Sequence, residues 1–344
     1  MLLFVFAFAK AQQTTIKGKI LDAQSREPLM GVGVYLSGTS IGVVSGPDGS
    51  YSIEYDPAIN ASLVFAYLGY ENVQIANPLN TDLKLVLLKQ SENELEAVVI
   101  NPDPWDRATK VKLFLKYFIG VSSLEDCEIL NMKDIRLRFN TDTKQLTAVS
   151  RNPILITNSE LGYKIKYDLV EFEINFKYIR GKNAPKQLFE MEHSRYNYVV
   201  TSSFGAGTSF YQELEGDKPS MKRRERRREK AFKLSQLLLY RSIINETMKE
   251  NKFELFHDGF KVKPEDHIRV RKEEGVYKVT FRHLKYSIRD RDKNQTDFIL
   301  SSNFIYFDAF GNIITARELM LSGYIPQLGV GSMMPLDYNM NLSQ

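Results

Sequence analysis

The 344-residue sequence predicts a mainly β protein in two parts: an N-terminal β-sandwich over residues 14–90 and a larger β-rich domain over residues 104–344 carrying two helices. Three observations predict it. Strand-length apolar runs separated by Gly, Pro, Asp and Asn fill residues 14–88. Alternation of apolar and polar residues recurs from Ile135 onward. Charge is split between the halves. Gln12 to Asp103 holds 5 Lys/Arg against 11 Asp/Glu, net −6, and Pro104 to the end holds 40 against 31, net +9.

Seven runs read as the strands of the first part. They are Thr15–Leu21, Gly33–Leu36, Ile41–Val44, Tyr51–Ile53, Ser62–Tyr67, Asn72–Ile75 and Leu83–Leu87. Pro47-Asp48-Gly49 is a turn, because proline presets φ and glycine accepts a positive φ. Gly18, Asp22, Pro28-Leu29, Gly31-Val32, Val34, Gly38-Thr39, Asp48-Gly49, Tyr51 and Gly69-Tyr70 form a set that resembles the carboxypeptidase regulatory-like domain. That resemblance implies a transthyretin-like sandwich of about seven strands. Ser45-Gly46-Pro47 departs from it where a Thr-Asp pair is usual.

In Bacteroidetes the domain often precedes the plug of a TonB-dependent receptor, and Leu95 to Ile100 resembles the segment that follows it there. The roughly 240 residues after it are fewer than a large barrel with a plug needs, so a transporter is not expected. No peptidase activity travels with the fold.

Leu2 to Ala9 is a short apolar core followed by Ala9-Lys10-Ala11 and Gln12. This reads as residues 1–11 of a truncated signal peptide, cleaved between Ala11 and Gln12. No run reaches the roughly 20 apolar residues of a transmembrane helix. Cys127 is the only cysteine and sits among Glu125, Asp126 and Glu128, so no disulfide is possible within the chain and a reactive thiolate is not expected.

Residues 91–103 read as a linker, polar and closed by Asn101-Pro102-Asp103-Pro104. A helix is expected next, with Asp103 as N-cap, Trp105, Ala108, Val111, Leu115 and Phe118 on one face, and Gly120 at its end. Strands follow at Ile135–Phe139, Leu146–Val149, Tyr163–Tyr167, Phe172–Phe176 and Tyr196–Val200, then within Val276–Tyr286, Phe298–Tyr306 and Ile313–Leu321. A long helix from about Lys222 to Glu250 interrupts them, with Leu234, Leu237, Leu238, Ile244 and Met248 as its stripe. Ile129-Leu130-Asn131, Asn152-Pro153-Ile154, Leu161-Gly162-Tyr163 and Pro335-Leu336-Asp337-Tyr338 resemble, less specifically, the C-terminal half of Bacteroidetes proteins carrying the same regulatory-like domain. Gly323 to Gln327 departs from that pattern.

Candidate chemistry is sparse. His193, His257, His267 and His283 lack His-x-x-Glu or His-Glu-x-x-His spacing, so no metal is expected. Asp290-x-Asp292-x-Asn294 opens like a calcium loop, but Gln295 replaces the glycine and Ser301 the bidentate glutamate, leaving a polar hairpin loop. Gly205-Ala206-Gly207 reads as a strand-linking turn, and so do Asp258-Gly259 and Phe310-Gly311-Asn312. Glu190 and Glu192 point to the strand face opposite His193 and form no site.

The unusual feature is Lys222-Arg223-Arg224-Glu225-Arg226-Arg227-Arg228-Glu229-Lys230, seven cations in nine residues. It reads either as a solvated helix start or as a contact for an envelope protein or an anionic envelope surface, through Lys222, Arg223, Arg224, Arg226, Arg227 and Arg228. The acidic first part is an internal candidate for the same role. Nucleic acid is not expected, because no aromatic residues interleave to stack bases. The expectation is an exported, noncatalytic protein without cofactor, a binding or adaptor module peripheral to the outer membrane or in the periplasm. The alternative is an envelope enzyme with a site assembled in the second part.

Overall fold

The computed structural model describes residues 13–91, 103–179, 197–216, 218–273, 275–315 and 318–339. The proposed signal segment with Ala11 and Gln12, most of the linker, and Glu190, Glu192 and His193 lie outside the described residues.

Seven short strands build the first part: β1 (Thr14–Asp22), β2 (Gly33–Leu36), β3 (Gly42–Val44), β4 (Ser50–Tyr55), β5 (Leu63–Ala66), β6 (Val73–Ile75) and β7 (Leu85–Leu88). They form two sheets, ordered β4-β1-β7 and β3-β2-β5-β6, with β7 parallel to β1. The sheets close on Ile20, Val34, Leu36, Ile53, Leu63, Phe65 and Leu88, all buried. Asp22 explains why it belongs with Tyr70 in the motif. Its carboxylate accepts the Gln24 and Ser25 N–H groups at 2.7 and 2.8 Å, and also the Tyr70 hydroxyl at 2.8 Å and Gln90 Nε2 at 3.1 Å. One side chain thus ties the end of β1 to the loop after β5 and to the residues after β7. Gly49, at φ 73°, closes the Pro47-Asp48-Gly49 turn where a Cβ would come within 2.4 Å of the Ile20 carbonyl oxygen.

The second part begins with α1 (Arg107–Phe118). Its N-cap is Asp106, whose carboxylate accepts the Thr109 N–H at 2.6 Å, and not Asp103 as the sequence suggests. Asp103 is taken by Lys110 Nζ at 2.7 Å and by the Phe139 N–H at 3.1 Å, so it anchors the helix to a strand instead. Trp105 stacks on Phe139 at 3.7 Å, and Gly120 ends the helix at φ 94°.

A six-stranded sheet follows: β8 (Cys127–Ile129), β9 (Ile135–Asn140), β10 (Gln145–Ser150), β11 (Ile154–Asn158), β12 (Tyr163–Ile179) and β13 (Asn197–Glu213). The two runs expected at Tyr163–Tyr167 and Phe172–Phe176 are one strand, β12, continuous through a bulge at the exposed Val170. One edge of β12 is shared by β11 and β10, and β13 covers the other. Gly205-Ala206-Gly207 is therefore not a turn but the interior of β13, opposite that bulge.

The helix expected from Lys222 to Glu250 is two helices, α2 (Lys218–Lys233) and α3 (Gln236–Ile244). Ser235 makes the break. Its hydroxyl donates to the Phe232 carbonyl at 2.8 Å and accepts the Leu238 N–H as the α3 N-cap. The break has a packing cause: α2 is largely exposed, whereas Leu237 to Ile244 are buried without exception. A fourth short helix, α4 (Pro264–His267), was not expected.

The remaining strands are β14 (Glu254–His257), β15 (Phe260–Val262), β16 (Ile268–Glu273), β17 (Val276–Phe281), β18 (Lys285–Arg289), β19 (Gln295–Leu300), β20 (Phe304–Phe307) and β21 (Leu319–Gly323). They form the sheets β15-β14-β18-β19-β21 and β16-β17-β20. Asp258-Gly259, both at positive φ, is the two-residue turn between β14 and β15. In the hairpin after β18 the Asp290 carboxylate accepts the Asp292 and Asn294 N–H groups at 2.8 and 3.0 Å, so the loop's own backbone occupies it.

Candidate functional site

The sandwich is seated on the second part by its β2–β3 turn. The Gly38 N–H donates to the Ser209 carbonyl at 2.7 Å, and the Gly38 carbonyl accepts the Leu336 N–H at 2.7 Å. The Thr39 carbonyl accepts the Tyr211 N–H at 3.1 Å. Tyr35 Oη donates to Asp168 at 2.5 Å, and Asn72 Nδ2 reaches the other carboxylate oxygen at 2.7 Å. Burial first and the Asp168 carboxylate second hold the Tyr35 hydroxyl well above its usual range, so it remains a donor. Phe210 stacks on Tyr35 at 5.0 Å and lies against Gly42, where any Cβ would meet its ring at 2.6 Å.

Beside this seam lies a partly open cavity of about 530 Å3. Six regions converge on it: the sandwich edge, the end of α1, the middle of β12 and β13, the start of α3, the turn at Gly311–Ile313, and the turns of residues 325–336. Gly205 and Gly207 leave the β13 face bare, and the Tyr167 ring lies across Gly207, 2.4 Å from where a Cβ would stand. The walls combine aromatic rings, among them Tyr167, Phe172 and Tyr240, with hydroxyl and amide groups such as Ser62, Gln74 and Ser203. No Asp, Glu, Lys, Arg or His lines it among the described residues.

The basic run falls on α2, and its members divide. Arg228 is buried: Nε donates to the Leu161 carbonyl at 2.7 Å, Nη1 meets Glu213 at 2.8 Å, and the guanidinium lies 4.0 Å from the Tyr163 ring centroid. Arg224 donates to the Leu214 carbonyl at 2.7 Å and fills the space beside Gly162. Arg227 pairs with Glu160 at 3.0 Å. Arg223 is exposed and has an interaction of its own. Lys222 and Arg226 are exposed, as is Lys230, and none of these three has a partner among the described residues. Two of the six arginine and lysine positions singled out in the sequence therefore serve the fold. Those left facing solvent are fewer than the run suggests.

Sequence spacing also missed a cluster. His257 and His283 stack at 3.8 Å, with His267 at 5.9 and 5.5 Å from them, over Tyr286. They come from β14, from α4 and from the turn before β18, so no local pattern announces them. Their nitrogens do not converge. His257 Nδ1 meets the Lys285 carbonyl at 3.1 Å and its Nε2 faces Asp258 at 3.4 Å, while His267 Nδ1 meets Tyr286 Oη at 3.2 Å. Among the described residues no group of three or more His, Cys, Asp or Glu is arranged to hold a metal ion. Burial, then Asp126, pushes the Cys127 thiol up to about 12.

Residues 16–100 match the CarboxypepD_reg-like domain. TonB-dependent receptor P3 of Formosa agariphila shares this region, 36% identical over 99 residues, which are 29% of this chain and 10% of the receptor. The chain thus spans about a tenth of the length of the curated relative it matches. A solved protein of unknown function from Bacteroides fragilis, described as membrane-associated, covers 91% of this chain and 98% of its own at 13% identity, with a TM-score of 0.18, too low for the likeness to carry an argument. No helix among the described residues is long and apolar enough to cross a membrane. The shared CarboxypepD_reg-like domain fits an envelope-associated protein.

Proposed function

We propose that this is a noncatalytic protein of the cell envelope, exported and peripheral to the outer membrane, in which the regulatory-like sandwich acts as a binding or adaptor module. The observation that carries the reading is the 36% identical domain shared with a TonB-dependent receptor. The noncatalytic half of the reading draws support from the cavity. Acid–base chemistry near neutral pH calls for a group titrating there. The lining offers hydroxyls and amides instead, and burial pushes the Tyr167 hydroxyl up to about 12. Lys222, Arg226 and Lys230 are the residues through which α2 would meet an envelope protein or an anionic envelope surface.

Fractionation of cells expressing the protein from its own gene tests the location. The expected result is recovery with the envelope and an N-terminus at Gln12. An uncleaved protein in the cytoplasm would refute export. The surface contact is tested with phosphatidylglycerol vesicles. Binding should fall steeply from low to high salt, and replacing Lys222, Arg226 and Lys230 with Ser should abolish it. Indifference to the vesicles at low salt would remove the anionic surface and leave an envelope protein as the contact.

A further inference from the structure

The cavity beside the seam has the volume of a small-molecule site, within the range of roughly 300–1,000 Å3. Its lining restricts what such a molecule can be. A charged ligand would shed its hydration shell and meet no counter-charge, since no ionic side chain faces the space among the described residues. A wholly apolar ligand would strip water from Ser37, Asn60, Ser62, Gln74 and Ser203 and return no hydrogen bonds. The remaining class is neutral, rich in hydroxyls, and apolar on its flat faces. Tyr117, Phe118, Tyr167, Phe172 and Tyr240 supply rings for such faces.

A second observation points the same way. Tyr167 is largely buried, but its hydroxyl, which has no hydrogen-bond partner among the described residues, is not enclosed and stays open to solvent. A hydroxyl placed so can bond whatever enters the cavity. This one belongs to the cavity wall, as does the Phe172 ring directly opposite Gly205. The bareness of Gly205 is what leaves space there, because its missing Cβ would meet nothing closer than Phe172 at 3.6 Å. No backbone constraint calls for glycine at that position, so the open volume is the feature its small size provides.

We infer that the cavity between the sandwich and β12–β13 binds a neutral saccharide, with sugar faces against its aromatic rings and sugar hydroxyls on Tyr167, Gln74 and the serines. The inference stands on the lining and goes beyond the envelope reading, which would survive its failure.

The test is calorimetry on the full chain. The probes are short neutral gluco-, manno- and galacto-oligosaccharides, uronate and sulfated counterparts, and adenosine. The expected result is binding of at least one neutral saccharide in the micromolar to millimolar range, unchanged between low and high salt. Gly205→Leu, which fills the space without striking the backbone, should weaken that binding about tenfold or more with no fall in melting temperature. Tyr167→Phe should weaken it about two- to tenfold. Absence of binding by every neutral saccharide would overturn the inference. So would tighter, salt-dependent binding of the charged sugars, preference for adenosine, or a Gly205→Leu variant that binds as well as the wild type.

Discussion

The two halves differ in the side chains that bridge their distant segments: the Asp22 carboxylate in the sandwich, guanidinium and amide groups in the second half. In the sandwich, Ser45 Oγ donates to the Leu29 carbonyl and accepts the Val32 N–H, and Thr39 Oγ donates to the Leu36 carbonyl three residues away. In the second half two buried arginines and a buried asparagine tie remote segments. Arg228 bonds the Leu161 and Gly162 carbonyls, and Arg241 bonds those of Phe310, Leu336 and Tyr338. Asn158 Nδ2 donates to the Gly331 carbonyl at 2.6 Å. The first half closes largely on itself, whereas the second is held by side chains that bring distant turns together. The cavity lies where those turns fail to close on one another.

The largest test of this contrast is whether the two cores melt apart. Phe65 and Phe298 are fully buried, one in each core. Truncation to alanine should cost about 3–5 kcal/mol in either case. The only tryptophan, Trp105, belongs to the second core, so its fluorescence reports that half alone. Phe65→Ala is expected to shift the denaturation seen by far-ultraviolet circular dichroism while the Trp105 transition moves by less than about 1 kcal/mol. Phe298→Ala should move the Trp105 transition by the full amount. Equal shifts of both signals in both variants would show one cooperative unit.

Within α2 the same contrast runs between neighbouring arginines. Arg228→Ala strands two carbonyls and Glu213 and removes the Tyr163 contact, so it should destabilise by about 2–3 kcal/mol. Arg226→Ala should change stability by no more than about 0.5 kcal/mol. Chemical denaturation of the two variants decides it. Similar effects would mean that the run acts as a block of charge and not as individually placed side chains.

These residues also show what the sequence could disclose. The seven sandwich strands are legible because each is short, apolar and bracketed by turn residues, and because Asp22, Gly49 and Tyr70 have fixed partners. Alternation discloses β9 and β10 in the same way. It fails at β13, where Thr201 to Thr208 holds only small residues apart from Phe204, and Gly205-Ala206-Gly207 offers turn chemistry to a segment that β12 holds extended. It fails again at α2–α3, because Ser235 caps a helix inside an unbroken apolar period. The cavity is the least legible. Tyr167, Gln74 and Tyr240 share a wall only through tertiary packing, and neutral side chains leave no charged pattern. Ser and Gly on a strand read as spacing until the opposing aromatics are in place.

A smaller effect sharpens the contrast at the seam. Tyr35→Phe removes the hydrogen bond to Asp168, which keeps Asn72 and stays partly solvated. The expected cost is about 1 kcal/mol. It should appear as weaker coupling between the two transitions, since neither core loses an apolar contact. An unchanged denaturation profile would mean that the backbone bonds of Gly38 and Thr39 hold the seam unaided.

The finest test concerns pH and separates the halves by one carboxylate. The Ser25 N–H and the Tyr70 hydroxyl, with Gln24 and Gln90, hold Asp22 well below the usual carboxylate range. The unfolded chain then binds this proton more tightly than the fold does, so stability rises with pH across the window. The contribution is fully present above the ordinary value of about 3.9 and is lost as pH falls through the depressed native value. Asp22→Asn lacks the charge at every pH. Its melting temperature should lie below that of the wild type at neutral pH, and the gap should narrow as pH drops below about 4. Asp48, held at about 2 chiefly by the Ser50 hydroxyl, and Glu254, held at about 2 by Lys261 and Lys293, weaken both proteins alike on acidification and cancel from the difference. The narrowing should appear in the circular dichroism transition and be absent from the Trp105 transition, because Asp22 bonds only residues of the sandwich. A gap that stays constant down to pH about 2 would show that the Asp22 carboxylate supports the β1 turn by shape and not by charge.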